Sequence, residues 1–215
     1  PLLDAHGATL AEDIYAGERL VMKAGSRIRS TQIGLAASIG LDHLPTRPHP
    51  RVVVISAGPD LVEPGLDLTG DEEYETNSWL LTTAVRETGA VAYRVHSIPE
   101  NEDQLKDAIE DQLVRADLVI ISGERHDDSF DLITRTLRQL GDITEVEIAI
   151  DSSGRHNFGT IGPDKVPVVT LPGDPIAAYI SFELLVRPMI RTMLGASTIH
   201  RPSVKARLEK GLSST

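Results

Sequence analysis

Arg51-Val-Val-Val-Ile-Ser56 and Asp117-Leu-Val-Ile-Ile-Ser122 decide the fold. Each is a short, unbroken apolar run rich in β-branched residues, closed by Ser and then by small residues, Ala57-Gly58 in one case and Gly123 in the other. A strand covered on both faces needs no alternation of polar and apolar positions, so runs of this kind predict buried strands of a parallel sheet.

Helical patterns alternate with these strands. Thr76-Asn77 reads as the cap of a helix with Leu80, Leu81, Ala84 and Val85 inward and Gly89 as terminator. A strand follows at 91–95. Asn101, with Glu102 and Asp103 suiting the positive end of a helix dipole, opens a second helix whose buried stripe is Leu105, Ala108, Ile109 and Leu113. Asp128 or Ser129 starts a third, through Phe130, Ile133, Leu137 and Leu140, stopped by Gly141. Strands are expected at 146–150, 157–161 and 166–171. The last helix begins at Asp174-Pro175, a cap followed by proline at the first turn, and runs to Leu194 with a kink at Pro188. Strands alternating with helices of this length predict an α/β fold, a three-layer α/β/α sandwich with a mostly parallel sheet.

Upstream, residues 1–47 form a Gly-containing, β-rich flanking segment with one short helix near Ser30 to Gly40, capped by Ser30 and facing inward through Ile33, Leu35, Ala36 and Ile39. Thr46-Arg47-Pro48-His49-Pro50 is a linker, because two prolines resist both helix and ladder pairing. The organisation expected is therefore a flanking segment at 1–47, a central domain at 48–195 and a polar tail at 196–215.

Composition narrows the functional classes. The 215 residues are 40% hydrophobic but only 4% aromatic, so the core must be built from Val, Ile, Leu and Ala. A formal charge of −11 offers no phosphate-neutralising surface and argues against nucleic acid. With no cysteine, disulfides, thiolate metal sites and cysteine nucleophiles are excluded, as expected of a cytoplasmic protein. No apolar run approaches the ~20 residues of a membrane span.

In open parallel sheets, ligands sit at the carboxyl ends of the strands where the strand order reverses. Three loops qualify. Ser56-Ala57-Gly58-Pro59-Asp60 offers backbone amides to an anion and one carboxylate, or is a plain Pro-Asp turn. Ser122-Gly123-Glu124-Arg125-His126-Asp127-Asp128 joins a strand to a helix start; Glu124, His126, Asp127 and Asp128 could ligate a divalent cation, or the loop is solvated with Asp128 as a cap. Leu171-Pro172-Gly173-Asp174-Pro175 is a rigid turn into a helix N-terminus that either caps or binds.

The ordered combination is more specific than any one loop. VVVISAGPDLVEPG (52–65) resembles the "STGDEL…PG" segment of the molybdopterin molybdenumtransferases, the family of MoeA and the gephyrin E domain. Glu75-Thr76-Asn77-Ser78 is similar to that family's "DSN/DTN" helix start. DLVIISG followed by Phe130-Asp131 resembles "SGGVSxGxxD", LPGDPIAAYISFELLVRPMIRTMLG (171–195) resembles "LPGNPVSA…F…VRP…LLG", and residues 11–41 look like the lead-in "G…I..G..L…AGT.L….IGLLASLG". The resemblance implies a MogA-like domain that binds molybdopterin, or its adenylylated form, at its strand ends and inserts molybdate with Mg2+, as a homodimer. Carried over by position, Ser56, Gly58, Asn77, Ser122, Gly123, Arg155, Pro172, Gly173, Asp174 and Pro175 would line the pocket, with Asp60 and Asp131 as the catalytic acids. Residues 196–215 would be the start of a C-terminal β-domain.

Three departures from the family pattern bear on activity. Pro59 replaces the first acid of "GDE", Glu124-Arg125-His126 replaces a neutral "GVS", and Asp151 stands where "KPGKP" has a lysine, leaving Arg155 as the cation offered. One charge reversal at ~4 Å and an effective dielectric near 20 changes an interaction by several kcal/mol. The resemblance therefore implies molybdenum insertion that is weakened or lost, and leaves a second reading open: a gephyrin-like scaffold that captures a peptide of a membrane or cytoskeletal partner.

Overall fold

The computed structural model describes residues 1–96, 101–123, 127–149, 154–207 and 209–211. In chain order its elements are a 3-10 turn (Leu2–Ala5), β1 (Ile14–Ala16), β2 (Arg19–Met22), α1 (Ser30–Ser38), β3 (Arg51–Ser56), β4 (Leu61–Val62), β5 (Glu73–Tyr74), α2 (Asn77–Thr88), β6 (Val91–His96), α3 (Glu102–Leu113), β7 (Leu118–Ser122), α4 (Asp127–Leu140), β8 (Gly141–Glu147), β9 (Arg155–Ile161), β10 (Val166–Leu171), α5 (Pro175–Ser181), a π-helical stretch (Phe182–Val186) and α6 (Arg187–Met193).

Six strands form one sheet in the order β6-β3-β7-β10-β9-β8. The first four are parallel, and β9 and β8 add an antiparallel edge. The two quoted runs lie side by side at the centre, with Val52 opposite Leu118 and Ser56 opposite Ser122. The chain leaves β3 for β6 on one side and returns to β7 on the other, so the order reverses between β3 and β7, and a crevice opens at their carboxyl ends.

Alternation in the strands sorts the core into two layers. Val52, Val54, Leu118, Ile120, Val169 and Leu171 face α2 and the last helix, packing on Leu81, Val85, Phe182, Val186 and Ile190. Val53, Ile55, Val119, Ile121 and Val168 face the other way, onto Leu105 and Ile109 of α3 and Ile133 and Leu137 of α4. The sandwich is thus three-layered, and burying each of these branched side chains contributes about 2 kcal/mol. The segment before Pro48 has its own small core of Leu10, Met22, Ile28, Ala36 and Leu44 around the β1–β2 hairpin.

Several local expectations are corrected. The strand expected at 146–150 is β8, which starts at Gly141 directly from the end of α4; Gly141 and Gly159 have no Cβ to strike the facing β9 and β8 backbones, which permits that close pairing. Ser30 is the first residue of α1 rather than its cap, and the Arg29 backbone N–H donates to Gln32 Oε1 at 3.1 Å. Leu35 is exposed. At α2 the Thr76 hydroxyl turns back to the Tyr74 carbonyl, and the Glu75 carboxylate accepts the Ser78 backbone N–H at 2.7 Å instead. The irregularity in the last helix lies at Phe182–Val186, just ahead of Pro188, because proline donates no N–H to the turn before it. Asn101, Asp174 and Gly89 cap as expected.

Candidate functional site

A small cleft of about 40 Å³ opens at the carboxyl ends of β3 and β7. It is floored by Ser56 and Gly123, walled by Glu75, Thr76 and Asn77 at the start of α2, and closed by Gly173 and Pro175 before α5. The three loops chosen as strand ends therefore meet. Asn77 ties two of them to α2: its Nδ2 donates to Ser122 Oγ at 2.7 Å and to the Gly173 carbonyl at 2.7 Å. Ser122 in turn donates to the Pro172 carbonyl at 3.1 Å. With both amide hydrogens committed, Asn77 Oδ1 is left buried and without a hydrogen-bond partner. A buried acceptor left unmade costs about 1–3 kcal/mol, so this atom is ready for a ligand donor.

Of the other expected residues, Asp174 caps α5 by accepting from the backbone of Ile176 and Ala177, both at 3.0 Å, and Pro175 occupies the first helical position. Gly123 is tight, since a Cβ there would come within 3.0 Å of Ile133. Gly58 is buried in the loop after β3. Asp60 sits in an exposed turn and is not among the cleft-lining residues. Asp131 and Arg155 are brought together, but with each other: Arg155 donates to Asp131 at 2.8 Å and to Glu145 at 2.9 Å, and stacks on Phe130. The cation expected to greet an anion is thus balanced by two carboxylates. Glu124, Arg125, His126 and residues 151–153 lie outside the described residues, as do the side chains of Asp127 and Asp128.

Sequence reasoning missed the charged wall beside the cleft. Glu75 is 1% exposed. Its carboxylate takes the Ser78 N–H and, at 2.5 Å, the Ser78 hydroxyl. Arg94 of β6 reaches it at 3.1 Å, donates to Glu63 at 2.5 Å, and donates through Nε to Ser78 Oγ at 2.5 Å. Burial pushes the Glu75 carboxyl up, yet the bonds from Ser78 and Arg94 outweigh it and hold the group below the ordinary carboxylate range. Ser56 Oγ faces this group without a hydrogen bond of good geometry. His96, paired with Ser56 across the sheet, lies 3.5 Å from Glu63. The available signal was an acid one place before a helix cap, which suits the dipole. Its Arg partner, 19 residues on, left no local trace.

A larger hollow of about 510 Å³, lined by Lys106, Leu113, Gln139 and Gly162, lies at the far end of the sheet. Among the described residues no buried side-chain atom lacking a partner lines it. Among the described residues no group of three or more His, Asp and Glu is arranged to hold a metal ion, and no helix is long and apolar enough to cross a membrane.

Comparison with known proteins shows the family. The family described as "Probable molybdopterin binding domain" matches residues 53–192. "Molybdopterin molybdenumtransferase 1" of Mycobacterium tuberculosis is 32% identical over 196 residues, covering 91% of this chain and 46% of that protein. "Molybdopterin molybdenumtransferase 2" of the same organism is 33% identical over 209 residues, covering 94% and 51%. Among solved structures, a "molybdopterin biosynthesis moea protein" from Pyrococcus horikoshii is similar with a TM-score of 0.74 and 30% identity, over 84% of this chain and 44% of that one. The chain spans about half the length of the curated relatives it matches.

Proposed function

Because this chain belongs to the molybdopterin-binding domain family, we propose that its cleft binds molybdopterin, free or adenylylated, in molybdenum cofactor biosynthesis, where the parent protein receives molybdate as substrate and inserts the metal. The observation that carries this reading is Asn77: one amide joins the ends of β7 and β10 to the start of α2 and keeps a buried acceptor unmade at the cleft.

The chain's own residues would act by positioning. Asn77 Oδ1 takes a donor of the pterin, and the Pro172–Pro175 turn holds the far wall rigid. No step needs a covalent intermediate. Mg2+ is a poor fit to the described residues, because Glu75 is engaged by Ser78 and Arg94, and Asp131 by Arg155; no step is routed through it. The balanced Arg155 agrees with a slowed insertion step. No feature of the described residues favours the peptide-capturing scaffold.

The reading includes a central domain at 48–195 with 1–47 and 196–215 as flanking parts, a cytoplasmic location and a homodimer. Ile176, Tyr179, Ile180 and Leu184 give the last helix an exposed apolar face for a second copy, and light scattering reads the mass.

The test is calorimetric titration of the chain with molybdopterin. Binding is expected, and Asn77→Ala should weaken it by about tenfold, the worth of one buried hydrogen bond of ~1.4 kcal/mol. Unchanged affinity in Asn77→Ala, with the fold intact, would overturn the placement of the ligand.

A further inference from the structure

We propose that residues 57–74 form a lid over the cleft, clasped shut by Glu63, and that a ligand enters only when this clasp opens. The inference goes beyond the cleft reading above, since it holds for any organic ligand the cleft takes.

Size requires a moving part. A cleft of about 40 Å³ has room for a few water molecules, whereas sites for small organic molecules span roughly 300–1,000 Å³. Two of its walls are fixed. Asn77 is bonded to Ser122 and to the Gly173 carbonyl, and the turn into α5 is held by Pro175 and the Asp174 cap. The third wall is Leu61, Glu73 and Tyr74, which belong to the excursion between β3 and α2. That excursion is built as a separate flap. Its strands β4 and β5 make a two-stranded sheet of their own, and the Glu73 backbone N–H donates to the Asp60 carbonyl at 2.9 Å to close the base. From Pro59 to Tyr74 the only buried residue is Leu61, and it joins none of the three hydrophobic cores found among the described residues. Lifting the flap therefore exposes little apolar surface, which is the condition for a low-energy local opening.

Glu63 fastens the flap to the body. Its Oε1 accepts from Arg94 at 2.5 Å, its Oε2 accepts from Trp79 Nε1 at 3.3 Å, and His96 Nδ1 lies 3.5 Å from Oε1. These partners sit on β6 and α2, so one carboxylate of the flap reaches both the sheet and the helix. Arg94 is also held by Ser78 and Glu75, so the body's half of the clasp stays in place when Glu63 lets go. Glu63 itself is 29% exposed, and water can replace its bonds as the flap lifts.

The chain has no cysteine, so a single one placed on the cleft floor reports access. Ser56→Cys substitutes a residue that is 1% exposed and lines the cleft, and its rate of reaction with a thiol reagent is measured with and without Glu63→Ala. Ser181→Cys, at a fully buried position of the last helix, reports opening of the body. The cysteine at position 56 should react far more slowly than in the urea-unfolded chain. Adding Glu63→Ala should speed it by roughly 10- to 100-fold, the factor that corresponds to a charge-assisted hydrogen bond, and leave the reaction of Ser181→Cys unchanged. Reaction of Ser56→Cys as fast as in the unfolded chain would refute a closed lid, and no change on adding Glu63→Ala would refute the clasp. An equal rise at Ser181→Cys would show that Glu63→Ala loosens the whole body, which also overturns the proposal. None of these rates involves pterin, so the lid and the cleft reading fail separately.

Discussion

Replacing Arg94 by Met isolates the energetics of the wall beside the cleft. The substitution keeps an unbranched aliphatic stem but removes the charge from a side chain that is 20% exposed, leaving the Glu75 carboxylate, fully buried, without its counter-ion. Breaking a buried pair by removing one partner costs about 3–5 kcal/mol. Glu75 retains two bonds from Ser78, which places the expected loss at the lower end, about 3 kcal/mol, with the cation–π contact to Trp79 contributing about 0.5–1 kcal/mol of it. For a chain of this length that is a fall of roughly 6–12 °C in Tm. The pH dependence follows from the sign of the shift. Glu75 is held below its unfolded value, so its contribution is fully present above about pH 4.3 and is lost as pH falls through the folded value. Without Arg94 the carboxyl climbs, and protonation removes the unpaired charge, so the gap between variant and wild type should narrow below about pH 4.3. Urea unfolding at pH 7 and pH 4 measures both. Glu75→Gln combined with Arg94→Met should recover a large part of the loss, since no buried charge remains. A loss under about 1 kcal/mol for Arg94→Met, or no recovery in the double variant, would refute the account.

His156 gives a second pH signature. It is fully buried, burial pushes its imidazole pKa down, and its Nε2 is 3.0 Å from Ser181 Oγ. The unfolded state binds the proton first, so stability falls as pH drops below about 6.5, by at most ~1.4 kcal/mol per unit, until the folded value is reached. His156→Gln should flatten that slope between pH 6.5 and 5 in urea midpoints; an unchanged slope would show that other groups cause it. Gly159→Ala would drive a Cβ into the Asp142 carbonyl of β8 and should cost about 2–3 kcal/mol, whereas Gly34→Ala, in a helix with open space around it, should be neutral or gain up to ~1 kcal/mol. Equal effects of the two substitutions would mean that β8 does not pack on β9 as closely as described.

How much of this was legible from residue order depended on the range of the interaction. The β3 and β7 runs, the Asn101 and Asp174 caps and the Gly89 terminator act within a few residues, and each appears where local chemistry puts it. The loops after Ser56, Ser122 and Leu171 were found because a parallel sheet converges its carboxyl ends, and they do meet at one cleft, where Asn77 bonds the last two. Long-range electrostatics were not legible. Arg94 chooses Glu63 and Glu75 across 31 and 19 residues, and Arg155 chooses Asp131 across 24. Periodicity records which face a residue lies on, not which charge waits there. The β8 strand was misplaced for a related reason: its burial pattern is almost wholly exposed, so it carries little apolar signal, and its position is set by glycines that let two backbones approach.

The π-helical stretch at Phe182–Val186 is a correction of phase. The last helix buries Ala178, Phe182, Val186, Ile190 and Leu194, a row spaced strictly by four. In an unbroken α-helix each residue advances about 100°, so four such steps would carry the row about 160° around the axis and lift its last members off the sheet. A turn that takes in an extra residue winds the row back. Deleting one residue from that stretch would leave a regular α-helix with Ile190 and Leu194 still facing the sheet, whereas regularising it at unchanged length would turn them toward water. The irregular turn is therefore what lets one long helix follow a twisted sheet from the rim of the cleft to the far edge of the core.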